Sequence, residues 1–367
     1  MNQYLFIIIW TLFLWAVYEA TRPVYYREDG RAVTQREVSW GYLLLLIIPI
    51  TVFCATRGDF ADTSAYRNGY ENFSSIYPNI RSILEAEEKG PGFDIIQYVC
   101  TRTLGSNSTV FLGLLALVQI MVLLKFYKKY SPNFWIAVFI FIASTDYLSW
   151  MQNGTRQFLA VSLVLYFADY IFERKYIRMM LVILVATTIH VSALVMIPVI
   201  FIVQGKAWNF KTLLLIAASV AALSALEAVT GIVGELLQET NYEKSFADWQ
   251  SSNDDGVNPI RVLVYSVPTL LSLIGLRYVR YENNNVINIA CNMGIVSTVL
   301  YILAMFTSGI YVGRLPVYCS MFSNGIFLPW ILKNAFTDRS YRPLVGIMIV
   351  CYAAFYYYQS HFIWGLF

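Results

Sequence analysis

Residues Gly154–Leu194 read GTRQFLAVSLVLYFADYIFERKYIRMMLVILVATTIHVSAL. Arg156 and Gln157 stand at the mouth of one apolar run. His190, one of only 2 histidines in the chain, stands in the middle of the next. Hydrocarbon cannot solvate an arginine, a glutamine or an imidazole, so at membrane depth these groups must be partnered or bathed in water. The stretch predicts apolar helices that carry polar groups to one end of a bundle. The rest of the chain reads as scaffold that brings further polar groups to the same side.

The composition agrees. Of 367 residues, 58% are hydrophobic, 16% aromatic and 13% charged, whereas a soluble domain carries about a quarter charged residues. Long apolar blocks with so little charge define a polytopic, all-α membrane helix bundle, taken here as a single transmembrane domain over residues 1–367. The net charge of +3 is too small to suggest nucleic acid, and the basic residues sit in short loops, where membrane topology puts them. Cys54, Cys100, Cys291, Cys319 and Cys351 are scattered and show neither metal-ligand nor CxxC spacing, so they read as core residues. The opening MNQYLFIIIW lacks a basic n-region and a small-residue cleavage site, and reads as a retained first span.

Apolar runs from Tyr4–Ala20, Trp40–Ala55 and Ser108–Phe126 through to Leu344–Tyr358 each approach the roughly 20 residues that a bilayer core takes. Tyr176–Val203 is either one tilted helix or two short ones meeting near His190. Charge decides between them. A single span would move Lys206, Lys211, Arg277, Arg280, Lys333, Arg339 and Arg342 outside, in exchange for only Lys244, Arg261 and Arg314. The positive-inside rule therefore favours a short hairpin around His190. This predicts about twelve membrane segments with both termini outside. Each half of the hairpin is only roughly 20 Å long, so His190 is expected in a recess opening outward.

Two segments are expected on the outer side. In 57–107, Asp62 is a helix N-cap signal, Tyr66, Tyr70 and Phe73 follow at helical spacing, and the helix stops before Pro78. A second helix starts after Pro91-Gly92 and ends at Gly105. Its Phe93, Ile96, Val99 and Cys100 share one face, predicted to lie on the bilayer. The segment 231–258 is acidic and reads as a lid-like loop.

The basic residues that break the topological rule are Arg156, Arg314 and Arg57, each at an outer helix end. Three guanidinium forks there suit a diphosphate, although a lone arginine also snorkels to an interface. His190 is either a general base or a satisfied structural residue. Asp62 is either a base or an N-cap. Asp146 and Glu227, near outer helix ends, are candidate partners for the arginines. Tyr66, Tyr70, Trp150 and Tyr311 suit sugar stacking or an aromatic interfacial belt. Asp59 and Asp62 are too few carboxylates for a metal site. No P-loop, dinucleotide fingerprint, HExxH or nucleophile elbow occurs.

At these residues the chain resembles the EpsG family, Wzy-type polymerases of bacterial exopolysaccharide and capsule synthesis. The resemblance rests on Arg156-Gln157-x-x-Ala160 followed by His190-x-Ser192-Ala193-Leu194. It rests also on Arg57 with Asp62-x-x-x-Tyr66-x-x-x-Tyr70, and on Tyr311-x-x-Arg314-x-x-x-Tyr318. The family's Glu-x-Gly-Tyr-like element is only loosely kept, as Glu88-Lys-Gly-Pro-Gly-Phe.

The resemblance implies that a glycan on undecaprenyl diphosphate is transferred en bloc to a lipid-linked repeat unit, at the outer face of the cytoplasmic membrane and without metal or cofactor. Arg156 and Arg314, with Arg57, would hold the diphosphate. His190 or Asp62 would position or deprotonate the acceptor hydroxyl. Tyr66, Tyr70, Gln157, Ser192 and Tyr311 would contact substrate. Implied partners are undecaprenyl-diphosphate-linked oligosaccharides, the bilayer, and chain-length regulators or other polysaccharide-synthesis proteins. Three rival readings are a flippase or transporter for a lipid-linked sugar, which needs polar residues through the full membrane depth, a membrane acyltransferase using His190, which needs a cytoplasmic acyl donor, and a non-catalytic partner within a synthesis complex.

Overall fold

The computed structural model describes residues 2–22, 24–26, 32–34, 38–86, 90–225 and 256–367. These are almost wholly helical. The exception is an antiparallel pair of short strands, β1 (Val24–Tyr26) and β2 (Ala32–Thr34). The chain divides into two compact units, Met1–Leu194 with Thr337–Phe367, and Val195–Phe336.

The first unit begins with α1 (Gln3–Thr21) and α2 (Trp40–Ala55). Helix α2 buries Leu43, Leu46, Ile47 and Ile50 but exposes Trp40, Leu44, Leu45, Ile48 and Val52. A helix apolar on every side needs an apolar solvent for its outer face, which is what a bilayer supplies. Four short helices follow: α3 (Thr63–Glu71), α4 (Phe73–Ile76), α5 (Ile80–Glu85) and α6 (Pro91–Leu104). Helix α4 ends before Pro78, as expected, while α5 was not expected. Helix α6 starts with Pro91 in its first turn, where no intrahelical donor is lost. It stops at Gly105, whose φ of 77° favours glycine.

The expected bilayer face of α6 divides. Phe93 and Cys100 are buried with Asp94, Gln97 and Thr101, where α6 packs on α5 and on the helix Tyr176–Ile189, while Ile96 is half-buried and Val99 is exposed.

Beyond these lie α7 (Ser108–Tyr130), α8 (Phe134–Ala143), α9 (Thr155–Tyr166), α10 (Asp169–Phe172) and α11 (Tyr176–Ile189). Asn107 and Asn133 cap α7 and α8 by accepting from Thr109, Val110 and Ile136 N–H groups. Each such cap is worth about 1 kcal/mol. Helix α2 packs on α7, α7 on α9, and α9 on α11.

Helix α8 is buried at every residue, and the chain then bends by 69° into a π-helix, Tyr147–Asn153. Thr145 takes up the bend with a φ of 70°. The run Tyr176–Val203 is likewise broken: α11 ends at Ile189 and His190 is extended (φ −151°, ψ 121°) before a 3-10 turn, Val191–Val195.

The second unit comprises α12 (Met196–Ile202), α13 (Phe210–Ser224), α14 (Pro259–Ile274), α15 (Leu276–Glu282), α16 (Asn285–Phe306), α17 (Val317–Phe322) and α18 (Leu328–Asn334). Helix α16 is its axis, with α13, α14 and α17 packed around it. Its buried Asn288 and Asn292 hold the loop after α12. Asn292 Nδ2 donates to Val203 O (2.9 Å) and its Oδ1 accepts from Trp208 N (3.0 Å), while Asn288 Oδ1 accepts from Ala207 N (3.1 Å).

By length and composition, 4 helices among the described residues can cross a membrane: Gln3–Thr21, Ser108–Tyr130, Asn285–Phe306 and Val312–Asn334. Counting each bent pair as one span raises this to 6. The sequence expectation of about twelve segments exceeds that number. Runs such as α2, α11 and α13 form shorter helices: the 16 residues of α2 span roughly 24 Å against a core of about 30 Å. Of the expected acidic lid, residues 231–255 lie outside the described residues, as do Glu88 and Glu227.

Candidate functional site

The first unit builds a polar cluster at the start of α9. The π-helix Tyr147–Asn153 delivers the chain into Gly154, which packs against the Trp150 ring. π-Helical turns recur at functional sites because they re-aim the side chains that follow. Asp146, at the head of this turn, is wholly buried and accepts from Ser144 Oγ and Trp150 Nε1 at 2.8 Å each. A buried carboxylate needs such donors. One expectation is corrected here: the buried Trp150 offers no exposed stacking face.

Arg156 lies in the first turn of α9 and is half-buried. Its Nε donates to Ile189 O at 2.7 Å and its Nη2 to Gly90 O at 3.1 Å. The guanidinium carbon stands 5.2 Å from the centre of the Phe93 ring, a cation–π distance. Ile189 is the last residue of α11, where carbonyls lack intrahelical partners and the helix dipole is negative. The break at His190 thus presents a carbonyl to a cation. The Arg156 backbone N–H donates to Tyr66 Oη at 3.3 Å, so α3 touches the same point.

The segment Gly90–Phe93 straps this arrangement. Gly90 has a φ of +97°, and a Cβ there would lie 1.9 Å from Arg156 Nη2. A Cβ on Gly92 would lie 2.3 Å from Thr188 Oγ1 and 2.9 Å from the Thr188 carbonyl carbon. Only glycine lets the backbone approach so closely. The loosely kept Glu88-Lys-Gly-Pro-Gly-Phe element therefore lands, through its Gly90–Phe93 half, on Arg156 and the end of α11. The sequence signals this contact only by its two glycines, which by themselves read as a helix start.

His190 Nδ1 lies 2.7 Å from Ser192 Oγ and accepts from Ser192 N–H at 3.3 Å. Both contacts suit the neutral tautomer that carries its hydrogen on Nε2. His190 and Ser192 are both half-buried. Asp62 is exposed at the N-cap position of α3 but makes no side-chain capping hydrogen bond. It stands one helical turn before Tyr66, on the same face.

Other expected site residues are placed differently. Arg57 is 0% exposed. Its Nε donates to Thr63 Oγ1 (2.9 Å), and its Nη atoms to Cys54 O (3.1 Å), Met151 O (3.3 Å) and Thr155 Oγ1 (3.5 Å). Burial lowers its pKa from the ordinary arginine value. It clamps the end of α2 to α3, the π-helix and α9, and offers no open fork to a phosphate. Tyr70 is also buried, stacked on Phe111 at 4.1 Å with its hydroxyl on Gly105 O at 2.9 Å. Burial pushes its phenol up to about 12. Gln157 is buried on α9. Both are poorly placed for substrate contact.

Arg314 and Tyr311 belong to the second unit. Arg314 is half-buried at the end of a 3-10 turn, Val312–Arg314, and Tyr311 is 49% exposed. Val257 N–H donates to Ala304 O (3.2 Å) and its side chain packs against Gly313, which anchors this turn to α16. Among the described residues, no three His, Cys, Asp or Glu side chains group as metal ligands.

An apolar helix bundle with so few charged residues describes a membrane protein. The family model described as the EpsG family matches residues 40–363. The chain belongs to the EpsG family, which is a family of Wzy-type polymerases. No curated protein and no solved structure matches it.

Proposed function

We propose that the protein polymerises lipid-linked repeat units, transferring a growing glycan from undecaprenyl diphosphate to the terminal sugar of a new unit at the outer face of the cytoplasmic membrane. The observation that carries this reading is the bond between the two family elements: Arg156 Nε on Ile189 O at 2.7 Å, which sets a guanidinium beside His190 and Ser192. Support for the membrane and polysaccharide context comes from the family.

In this reading the C1–O bond of the donor breaks toward the diphosphate, and the acceptor oxygen bonds to C1. Negative charge grows on the leaving diphosphate, and Arg156 stabilises it, a part that the family resemblance also assigns to Arg314. The acceptor hydroxyl loses its proton to the Ser192 hydroxyl as that group passes its own proton to His190 Nδ1, and the imidazolium then holds it. His190 thus acts as base through Ser192, and Nε2–H remains a donor throughout. Asp62, exposed beside Tyr66 on α3, orients the acceptor sugar. Arg57 and Tyr70 act only by holding α3 in place. Aligning two lipid carriers in one site supplies the proximity term.

Purified protein in lipid nanodiscs, given lipid-linked repeat units alone, should form a ladder of polymer and release undecaprenyl diphosphate. Transport of the units across the bilayer without any ladder would favour the flippase class and end this reading.

A further inference from the structure

A concavity in the first unit is used by none of this chemistry. It has a volume of about 490 Å³ and is lined by Tyr4, Gly58–Ala61, Asn153 and Ile363–Leu366. Its lining mixes rings with polar groups. Phe60 packs edge-on against Trp364 with ring centres 5.5 Å apart, and against Tyr4 at 6.5 Å. Asp59 is held loosely by Arg67 at 3.7 Å and is largely exposed. Asn153 Oδ1 has no hydrogen-bond partner among the described residues. Ala61 sits at a φ of 48°, a conformation that a non-glycine residue adopts only when its surroundings impose it.

Rings that meet C–H faces, beside a carboxylate and an amide that meet hydroxyls, are the chemistry of a sugar site, and the volume falls in the usual range for ligand pockets. The pocket also joins the polymer chemistry through the chain. Gly58–Ala61 links Arg57 to Asp62, and Asn153 closes the π-helix that leads to Arg156.

We infer that this pocket is an acceptor subsite that binds a sugar ring of the incoming repeat unit, beyond the residue that reacts. The inference rests on the polymerase reading for its role but not for its ligand class.

The test uses lipid-free oligosaccharides released by mild acid from the host's own exopolysaccharide, with protein in nanodiscs and saturation-transfer NMR. Wild type should transfer saturation to sugar ring protons, and Trp364→Ala should bind about tenfold more weakly. To keep folding out of the result, Leu366→Cys in a Cys351→Ser background is alkylated with a bulky maleimide after purification. Binding should then vanish, and KM for the lipid-linked acceptor should rise more than kcat falls. Unchanged fragment binding and unchanged acceptor KM in the alkylated protein would overturn the subsite while leaving the polymerase reading intact. Fragment binding that alkylation abolishes, in a protein that forms no ladder, would keep the sugar pocket and remove the polymerase reading instead.

Discussion

Replacing Gly92 by alanine should separate the geometry of the Arg156 cluster from its stability. The new Cβ would meet Thr188 at 2.3 Å (Oγ1), 2.9 Å (carbonyl carbon) and 3.0 Å (Cβ). Carbon atoms in contact prefer about 3.5–4.0 Å, and two of these three neighbours belong to backbone or a branched carbon that cannot swing away. The start of α6 must therefore rise from the end of α11 by roughly 1 Å. Overpacking of this kind costs about 1–3 kcal/mol, partly offset because alanine is a better helix residue than glycine by up to about 1 kcal/mol. The lift carries Gly90 O and Phe93 away from Arg156, and a 1 Å misplacement can cost about 10²-fold in turnover. Expected is a protein of near-normal yield whose polymerisation rate, measured on lipid-linked repeat units, falls by about that factor. Gly69→Ala is the control. Gly69 lies in α3 and a Cβ there would meet nothing within 4 Å, so this change should leave the rate alone. Wild-type turnover in Gly92→Ala would refute the idea that the strap sets the Arg156 geometry.

Four further outcomes are expected. Arg156→Lys and Arg314→Lys should each shorten polymer in cells at normal protein level, by a loss of about 10²–10³ in rate, because an ammonium cannot donate in two fixed directions as Arg156 does; long polymer in both would exclude the diphosphate role. His190→Gln and Ser192→Ala should each lower turnover at least about 10²-fold, and the double variant should lose little more than either single one if they form one relay, which initial rates will decide. Arg57→Lys should act on folding instead, since its partners Thr63, Thr155, Cys54 O and Met151 O lose a buried donor fork; reduced yield and thermal stability, with near-normal turnover in what folds, is the expected pattern. Val191→Cys should label from outside with a membrane-impermeant thiol reagent while Lys206→Cys does not, and the reverse would turn the topology over.

The all-helical membrane class was determined by the sequence alone, because apolar blocks with so few charges have no other stable solution. So were the helix start at Asp62 and the stop before Pro78, though not the break at Asn72 between α3 and α4, as well as the helix from Pro91 to Gly105 and the break at His190 that charge placement demanded. These are local or compositional features: a cap, a proline, a glycine with positive φ, or the sign of a loop. What only the tertiary structure decided is which polar residues face a site and which are sealed in.

Arg57 and Arg156 both read as arginines at helix ends. One is buried against four protein acceptors and the other is only half-buried at the end of α11. Tyr66 and Tyr70 lie on one face of α3, yet Tyr70 is stacked inside on Phe111 while Tyr66 reaches Arg156. In a membrane bundle the lipid-facing and protein-facing sides of a helix are equally apolar, as α2 shows, so periodicity does not reveal which side is inward. That choice falls to close contacts between segments far apart in the chain, such as Gly90 and Gly92 against Arg156 and Thr188, where the absence of a Cβ, rather than any hydrophobic pattern, fixes the geometry.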